Sequence, residues 1–144
     1  MDHCENANGR WISLLNRYMQ GYISGHLKAH NIGYGQYVFL LTLYHNNGIS
    51  QDTLSELMNI DKGTTAKAVK KLEDEGYLYR EVDPSDKRAY KLYYTEKAIE
   101  LQPILFEIID SCNNILTCDF TAEEKEMSLK LLQKMSQNAV TFLK

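Results

Sequence analysis

Apolar side chains recur at spacings of three and four residues along most of the chain, which predicts a mainly helical fold. The pattern predicts a first helix from Arg10 to about His30 and a second, strongly apolar helix from Gln36 to about Asn46. Residues 31–35 contain two glycines and separate the two helices.

Two shorter amphipathic helices follow, separated only by Asn59 and Ile60. Ser50 is the predicted N-cap of the third helix and Asp61 that of the fourth, while Gly76 ends the fourth. Two short helices joined by a brief turn are typical of a helix-turn-helix. Spacing places four residues of the fourth helix toward the core: Thr65, Ala68, Val69 and Leu72.

The pattern then changes to two runs rich in aromatic residues, 77–82 and 89–94, which predict two strands. Residues 83–88 between them are charged and contain Pro84, so we expect a turn-forming loop. The sequence therefore predicts a hairpin with a long tip directly after the helix-turn-helix.

Two long helices complete the predicted chain. Thr95 caps a fifth helix to about Cys118, in which Pro103 marks either a bend or the first turns. Thr121 and Glu124 form a capping box that starts a sixth helix. The apolar faces of these helices exceed what a 144-residue monomer needs at its end, which indicates a subunit interface. The predicted fold class is mainly α with a small β-hairpin (α+β).

Charge and composition narrow the functional classes. The net charge of −3 argues mildly against nucleic acid, but residues 62–71 carry four lysines and no acid. No apolar run approaches the roughly 18 residues that span a bilayer, and the first ten residues are polar. We therefore expect a cytoplasmic protein without a membrane segment. The three cysteines, Cys4, Cys112 and Cys118, lack metal-site or disulfide spacing, which fits a reducing compartment.

The arrangement predicts a DNA-binding surface, with the fourth helix in the major groove and the hairpin tip at the minor groove. Arg88 suits a narrow minor groove. Asp86 is placed to fix the turn or to orient Arg88 by a charge-assisted hydrogen bond, and the two roles are compatible. Ser50 and Gln51 are placed to touch a phosphate, although for Ser50 a purely capping role is equally compatible. The full predicted set is Ser50, Gln51, Lys62, Gly63, Thr64, Ala66, Lys67, Lys70, Lys71, Asp86, Lys87 and Arg88.

The runs 59–78 and 83–88, together with Leu92 and residues 95–97, resemble the MarR family of winged helix-turn-helix transcriptional regulators. The resemblance covers nearly the whole chain and is most specific in the hairpin, or wing, with Asp86 and Arg88. It implies one domain over residues 1–144, with a DNA-binding lobe at 32–94 and dimerisation helices at 1–31 and 95–144. It further implies a homodimer that binds a pseudo-palindromic operator, as a repressor tuned by a small molecule.

Three positions depart from the usual family pattern. Ala98 stands where the family usually has glycine, and Gly63 and Lys67 where it often has serine and arginine. Because lysine contacts guanine less rigidly than bidentate arginine does, these departures bear on the operator sequence rather than on DNA binding itself.

Other readings remain open beside the DNA-binding one. Four tyrosines in the first two helices either line the implied effector pocket or pack the core with their hydroxyls at its edge: Tyr18, Tyr22, Tyr34 and Tyr37. His26 and His30 are four residues apart on the first helix, a spacing that lets two side chains bind one metal ion. Cys4 is a candidate thiol sensor. The same face could instead hold a protein, which the net negative charge favours. No catalytic or cofactor motif is recognisable, so we expect neither an enzyme nor a bound cofactor.

Overall fold

A computed structural model describes residues 7–144, so Cys4 lies outside the described residues. The described chain contains six α-helices, one short 3-10 turn and three strands. In chain order they are α1 (Asn8–Leu27), the 3-10 turn (Lys28–His30), α2 (Tyr34–His45), β1 (Ile49–Ser50), α3 (Gln51–Met58), α4 (Lys62–Asp74), β2 (Leu78–Asp83), β3 (Asp86–Tyr94), α5 (Glu96–Leu116) and α6 (Ala122–Phe142). The predicted fold class is confirmed.

The chain forms two compact units, one ending at Cys112 and one covering Asn113–Lys144. The first unit holds a hydrophobic core to which α1–α5 and the sheet all contribute. Leu40 of α2, Leu72 of α4 and Leu92 of β3 are fully buried in it. Burial of each such side chain contributes about 1.5–3 kcal/mol, so this core fixes where α3, α4 and the hairpin lie. In the second unit, α6 has no buried side chain.

The helix starts lie where the capping residues predict them. The Ser50 hydroxyl accepts a hydrogen bond from the Thr53 amide at 3.1 Å, and the Asp61 carboxylate accepts one from the Thr64 amide at 2.8 Å. Thr121 forms the predicted capping box with Glu124. These bonds satisfy amide groups that the first helical turn leaves without partners.

The hairpin is longer and its tip shorter than the sequence predicts. β2 extends to Asp83 and β3 begins at Asp86, so only Pro84 and Ser85 lie between the strands. The prediction of a long loop over 83–88 is therefore wrong. Polar residues at 86–88 can remain in a strand because this end of the hairpin is exposed on both faces, so no burial is needed. Pro84 occupies the turn, where its missing N–H costs no ladder bond.

The sequence did not indicate β1. Its residues Ile49 and Ser50 pair with Leu92 and Lys91 of β3, giving an antiparallel sheet of order β1-β3-β2. Two residues are too few for a visible alternation of polar and apolar positions. This short strand joins the start of α3 to the base of the hairpin.

The end of the first helix and the position of Pro103 in the fifth helix differ in detail from the prediction. α1 ends at Leu27, and the predicted last turn to His30 is 3-10, followed by Asn31 in the left-handed region at φ 60°. Pro103 lies inside α5 rather than in its first turn. Within residues 7–144, none of the helices combines the length and the apolar character that a membrane span requires.

Candidate nucleic-acid interface

The α4 helix is divided into a buried face and an exposed face. Thr65, Ala68, Val69 and Leu72 are buried, as the spacing predicts. The hydroxyl of Thr65 donates to the backbone carbonyl of Asp61, so this buried polar group is satisfied. The opposite face is exposed at every position that the sequence assigned to DNA: Lys62, Gly63, Thr64, Ala66, Lys67, Lys70 and Lys71.

Thr64 lies in the first turn of α4, and both its amide and its hydroxyl are bonded to Asp61. Its hydroxyl donates to Asp61 Oδ2 at 2.7 Å, while its amide donates to Asp61 Oδ1. These bonds, led by the amide, hold the pKa of Asp61 below its ordinary value. Because the hydroxyl proton is engaged, the exposed Thr64 side chain offers a methyl group and an acceptor oxygen, which suits a thymine methyl or a base amino group.

The four lysines of α4 differ in their partners. Lys70 lies 2.8 Å from Asp74, Lys71 lies 3.0 Å from Glu75, and Lys62 lies 3.6 Å from Asp52 of α3. Lys67 has no carboxylate partner among residues 7–144. Exposed ion pairs of this kind are weak, but they lower the local positive potential, so Lys67 is the least compensated cation of this face.

The start of α3 carries the two predicted phosphate contacts. The Ser50 hydroxyl caps α3 and donates to Thr53 Oγ1 at 2.7 Å, so its capping role is present in the structure. The side-chain oxygen of Gln51 is buried without a hydrogen-bond partner. Both residues stay predicted DNA contacts at the N-terminus of a helix, where amides favour an anion.

The hairpin tip is organised by two aspartates. Asp83 accepts hydrogen bonds from the hydroxyl and the amide of Ser85, and these, led by the hydroxyl, lower the pKa of Asp83. Asp86 accepts from the backbone amide of Arg88 at 3.0 Å. That bond corresponds to the turn-fixing role of Asp86, and its role in orienting the Arg88 side chain stays a prediction. Lys87 and Arg88 are exposed and have no carboxylate partner within the described chain.

Glu73 and Arg80 form a contact that the sequence pattern did not indicate. Arg80 of β2 donates from Nε and Nη2 to the two carboxylate oxygens of Glu73 in α4, at 3.0 Å each. These bonds raise the pKa of Arg80. One signal was available: alternation along β2 puts Arg80 on the same face as buried Leu78, and a charge on a core-facing side requires a partner.

The four tyrosines proposed for an effector pocket lie in different surroundings. Tyr22 lines a cavity of about 270 Å³ with His26, Glu107 and Ser111. Tyr34 and Tyr37 pack together with ring centres 5.4 Å apart, and burial raises the pKa of Tyr37 to about 12. The Tyr18 side chain is highly exposed, at 72%.

A second cavity, of about 210 Å³, is lined by His30, Tyr77, Lys97, Glu100, Leu101 and Ile104. His26 and His30 thus line different cavities, and α1 ends between them. Residues 7–144 contain no group of three His, Cys, Asp or Glu side chains that could hold a metal. Cys112 is buried, which raises the pKa of its thiol, and Cys118 is exposed.

Comparison with known proteins adds independent information. Residues 32–90 match the model of the MarR family. The HTH-type transcriptional regulator YybA of Bacillus subtilis is 33% identical over 129 residues, which cover 90% of this chain and 86% of YybA. A MarR transcriptional regulator from Methanosarcina mazei superposes with a TM-score of 0.87 at 40% identity, over 92% of this chain and 96% of the other.

A third similar protein was solved with DNA. This MarR-family transcriptional regulator from Listeria monocytogenes, complexed with a 26mer DNA, superposes with a TM-score of 0.86 at 27% identity. The match covers 93% of this chain and 89% of that one.

Proposed function

The chain belongs to the MarR family of transcriptional regulators, and from that premise we propose that it binds a specific double-stranded DNA operator as a homodimer. In this proposal α4 enters the major groove and the β2–β3 wing reaches the adjacent minor groove. The protein acts by binding, as a cytoplasmic repressor, and not by catalysis.

The exposed face of α4 is the observation that carries the proposal. Four lysines, Thr64 and two small residues share this face, and no acid of α4 interrupts it before Glu73. Small side chains let a helix approach base edges closely, while lysines contact phosphates and guanine. The DNA-bound relative from Listeria supports the same use of the fold.

Unburied apolar side chains support the homodimer. In the second unit, Met127, Leu131 and Leu132 of α6 are about half exposed or more, at 52%, 47% and 47%. In the first unit, Trp11 and Leu15 of α1 are similarly exposed. Apolar surface of this extent normally marks an interface. A two-fold dimer binds half-sites about 34 Å apart, which explains a pseudo-palindromic operator.

We propose a small-molecule effector as the regulator of this binding. The cavity beside Tyr22 combines two isoleucines with hydroxyl, imidazole and carboxylate groups, so it offers a small molecule both apolar contact and hydrogen bonds. A ligand that binds the dimer only when its two α4 helices lie at one particular spacing would change the affinity of the dimer for DNA. Regulation through the thiol of Cys4, or through a metal bound at His26 and His30, is the alternative to a small-molecule effector in a regulator of this fold.

Fluorescence anisotropy tests the proposed DNA binding. A duplex selected by the wild-type protein from a random-sequence library is titrated at two salt concentrations. We expect Lys67→Ala and Arg88→Ala each to raise Kd about tenfold, since each removes a contact worth about 1–3 kcal/mol. Lys130→Ala, an exposed lysine of α6, is the matched control and leaves Kd nearly unchanged.

The competing function is a winged-helix module that holds another protein, and the net charge of −3 is the observation in its favour. Failure to enrich any sequence, or binding without salt dependence, would favour that module and contradict the operator proposal.

A further inference from the structure

Glu73 and Arg80 connect α4 to the hairpin through a geometry that restricts orientation. The two parallel hydrogen bonds, each 3.0 Å, join a planar guanidinium to a planar carboxylate. Both side chains are less than one third exposed, at 29% and 28%. A paired, partly desolvated fork of this kind fixes an angle as well as a distance, unlike a surface lysine pair.

Arg80 is also held from the opposite strand. Its guanidinium carbon lies 5.0 Å from the ring centre of Tyr90 on β3. Leu92, the partner of Arg80 in the ladder, lies on the same face of the hairpin as Tyr90. The Arg80 side chain therefore contacts α4 through Glu73 and β3 through Tyr90, so one residue links all three elements.

The outer part of the hairpin has little other support. Leu78 and Leu92, near its base, are its only buried side chains. Within residues 7–144, the two bonds from Arg80 are the only side-chain hydrogen bonds between the hairpin and α4. The angle of the outer hairpin relative to α4 thus depends on this contact and on the short buried base.

Arg88 depends on that angle. It precedes Tyr90 by two residues on β3 and lies where the ladder register shifts, between the pairs Val82–Tyr90 and Asp83–Asp86. The strand segment that carries Arg88 therefore continues directly from the contact at Tyr90, without a regular ladder of its own to hold it. We propose that Glu73 and Arg80 are positioning residues that hold Arg88 at a fixed angle to the lysine face of α4. The two groove contacts are then made together rather than independently. This inference rests on the proposed DNA-binding function.

The decisive variant is Glu73→Gln, because electrostatics and positioning predict opposite results. Removal of a carboxylate near DNA by itself tightens binding. Loss of the positioning contact, by contrast, raises Kd for the selected duplex about fivefold. In the Glu73→Gln background, the factor by which Arg88→Ala raises Kd, here called the Arg88→Ala penalty, falls from about tenfold to about twofold, because the two residues are coupled. Arg80→Lys keeps the charge, removes the two-bond geometry, and gives the same decrease in coupling.

Glu75→Gln is the matched control, since it makes the same charge change two residues away and breaks an ion pair, with Lys71, that does not involve the hairpin. In the Glu75→Gln background, Arg88→Ala still raises Kd about tenfold. Circular dichroism confirms that each variant folds.

An unchanged Arg88→Ala penalty in both Glu73→Gln and Arg80→Lys would overturn the positioning role while leaving operator binding intact. So would an Arg88→Ala variant that binds as tightly as wild type. Failure of the wild-type protein to enrich any duplex would overturn the proposed function, and this inference with it.

Discussion

At the scale of single residues, Ser50 combines two roles that one substitution cannot separate. Its hydroxyl caps α3 through the Thr53 amide, and its position at a helix N-terminus also suits a DNA phosphate. Alanine removes both functions, so weaker binding by Ser50→Ala would identify neither. Aspartate, by contrast, is as good an N-cap as serine but repels a phosphate.

We therefore expect Ser50→Asp to unfold at nearly the wild-type temperature while its Kd for the selected duplex rises at least tenfold, because charge repulsion replaces a hydrogen bond to the phosphate. Ser50→Ala is expected to lower the free energy of unfolding by about 1 kcal/mol. Thermal unfolding and anisotropy on the same samples measure both effects. Tight binding by the aspartate variant would assign Ser50 to capping alone.

The buried and exposed sides of α4 were predictable from spacing, because burial in a helix follows its period of 3.6 residues. The pairing of its lysines was not. Lys70 and Lys71 each have an acid four residues later, which spacing suggests but does not distinguish from solvated charges. Arg80 and Glu73 lie on different elements, so only their packing reveals the contact.

At the scale of elements, the ion pairs of α4 have a consequence for specificity. Asp74 and Glu75 lower the positive potential of Lys70 and Lys71, and non-specific DNA affinity is almost entirely electrostatic. We expect the double variant Asp74→Asn, Glu75→Gln to bind random duplex about threefold to tenfold more tightly, with a steeper dependence on salt.

The ratio of Kd values for random and selected duplexes measures this decrease in specificity. Glu123→Gln with Glu124→Gln makes the same charge change at the start of α6 and serves as the control. Equal effects from the two pairs would mean that net charge, rather than the α4 pairs, sets non-specific affinity.

At the scale of the whole molecule, the helical order, the helix-turn-helix and the hairpin all followed from periodicity and capping residues. The errors were confined to places where few residues carry the pattern. β1 has two residues, and the outer hairpin is exposed on both faces, so neither shows the alternation that marks a half-buried strand. The cavities could not be predicted, since they depend on packing between helices that are distant in sequence.

The apolar surface of α6 is the remaining feature that a single chain does not explain. Leu131 belongs to the stripe of Met127, Leu131, Met135 and Phe142 at helical spacing, and it is half exposed. In a dimer that buries this stripe, Leu131→Glu places a charge in an apolar interface, which is strongly unfavourable. We expect light scattering to give twice the chain mass for wild type and the single-chain mass for the variant at micromolar concentration.

The same variant is expected to abolish operator binding, because two half-sites contacted by one protein bind far more tightly than one half-site contacted alone. Gln133→Glu introduces the same charge at an exposed position off the stripe, and we expect it to remain dimeric and DNA-bound. A dimeric Leu131→Glu variant with wild-type affinity would place the interface elsewhere. A monomeric variant that still binds the full site with wild-type affinity would show instead that the dimer is not needed for recognition.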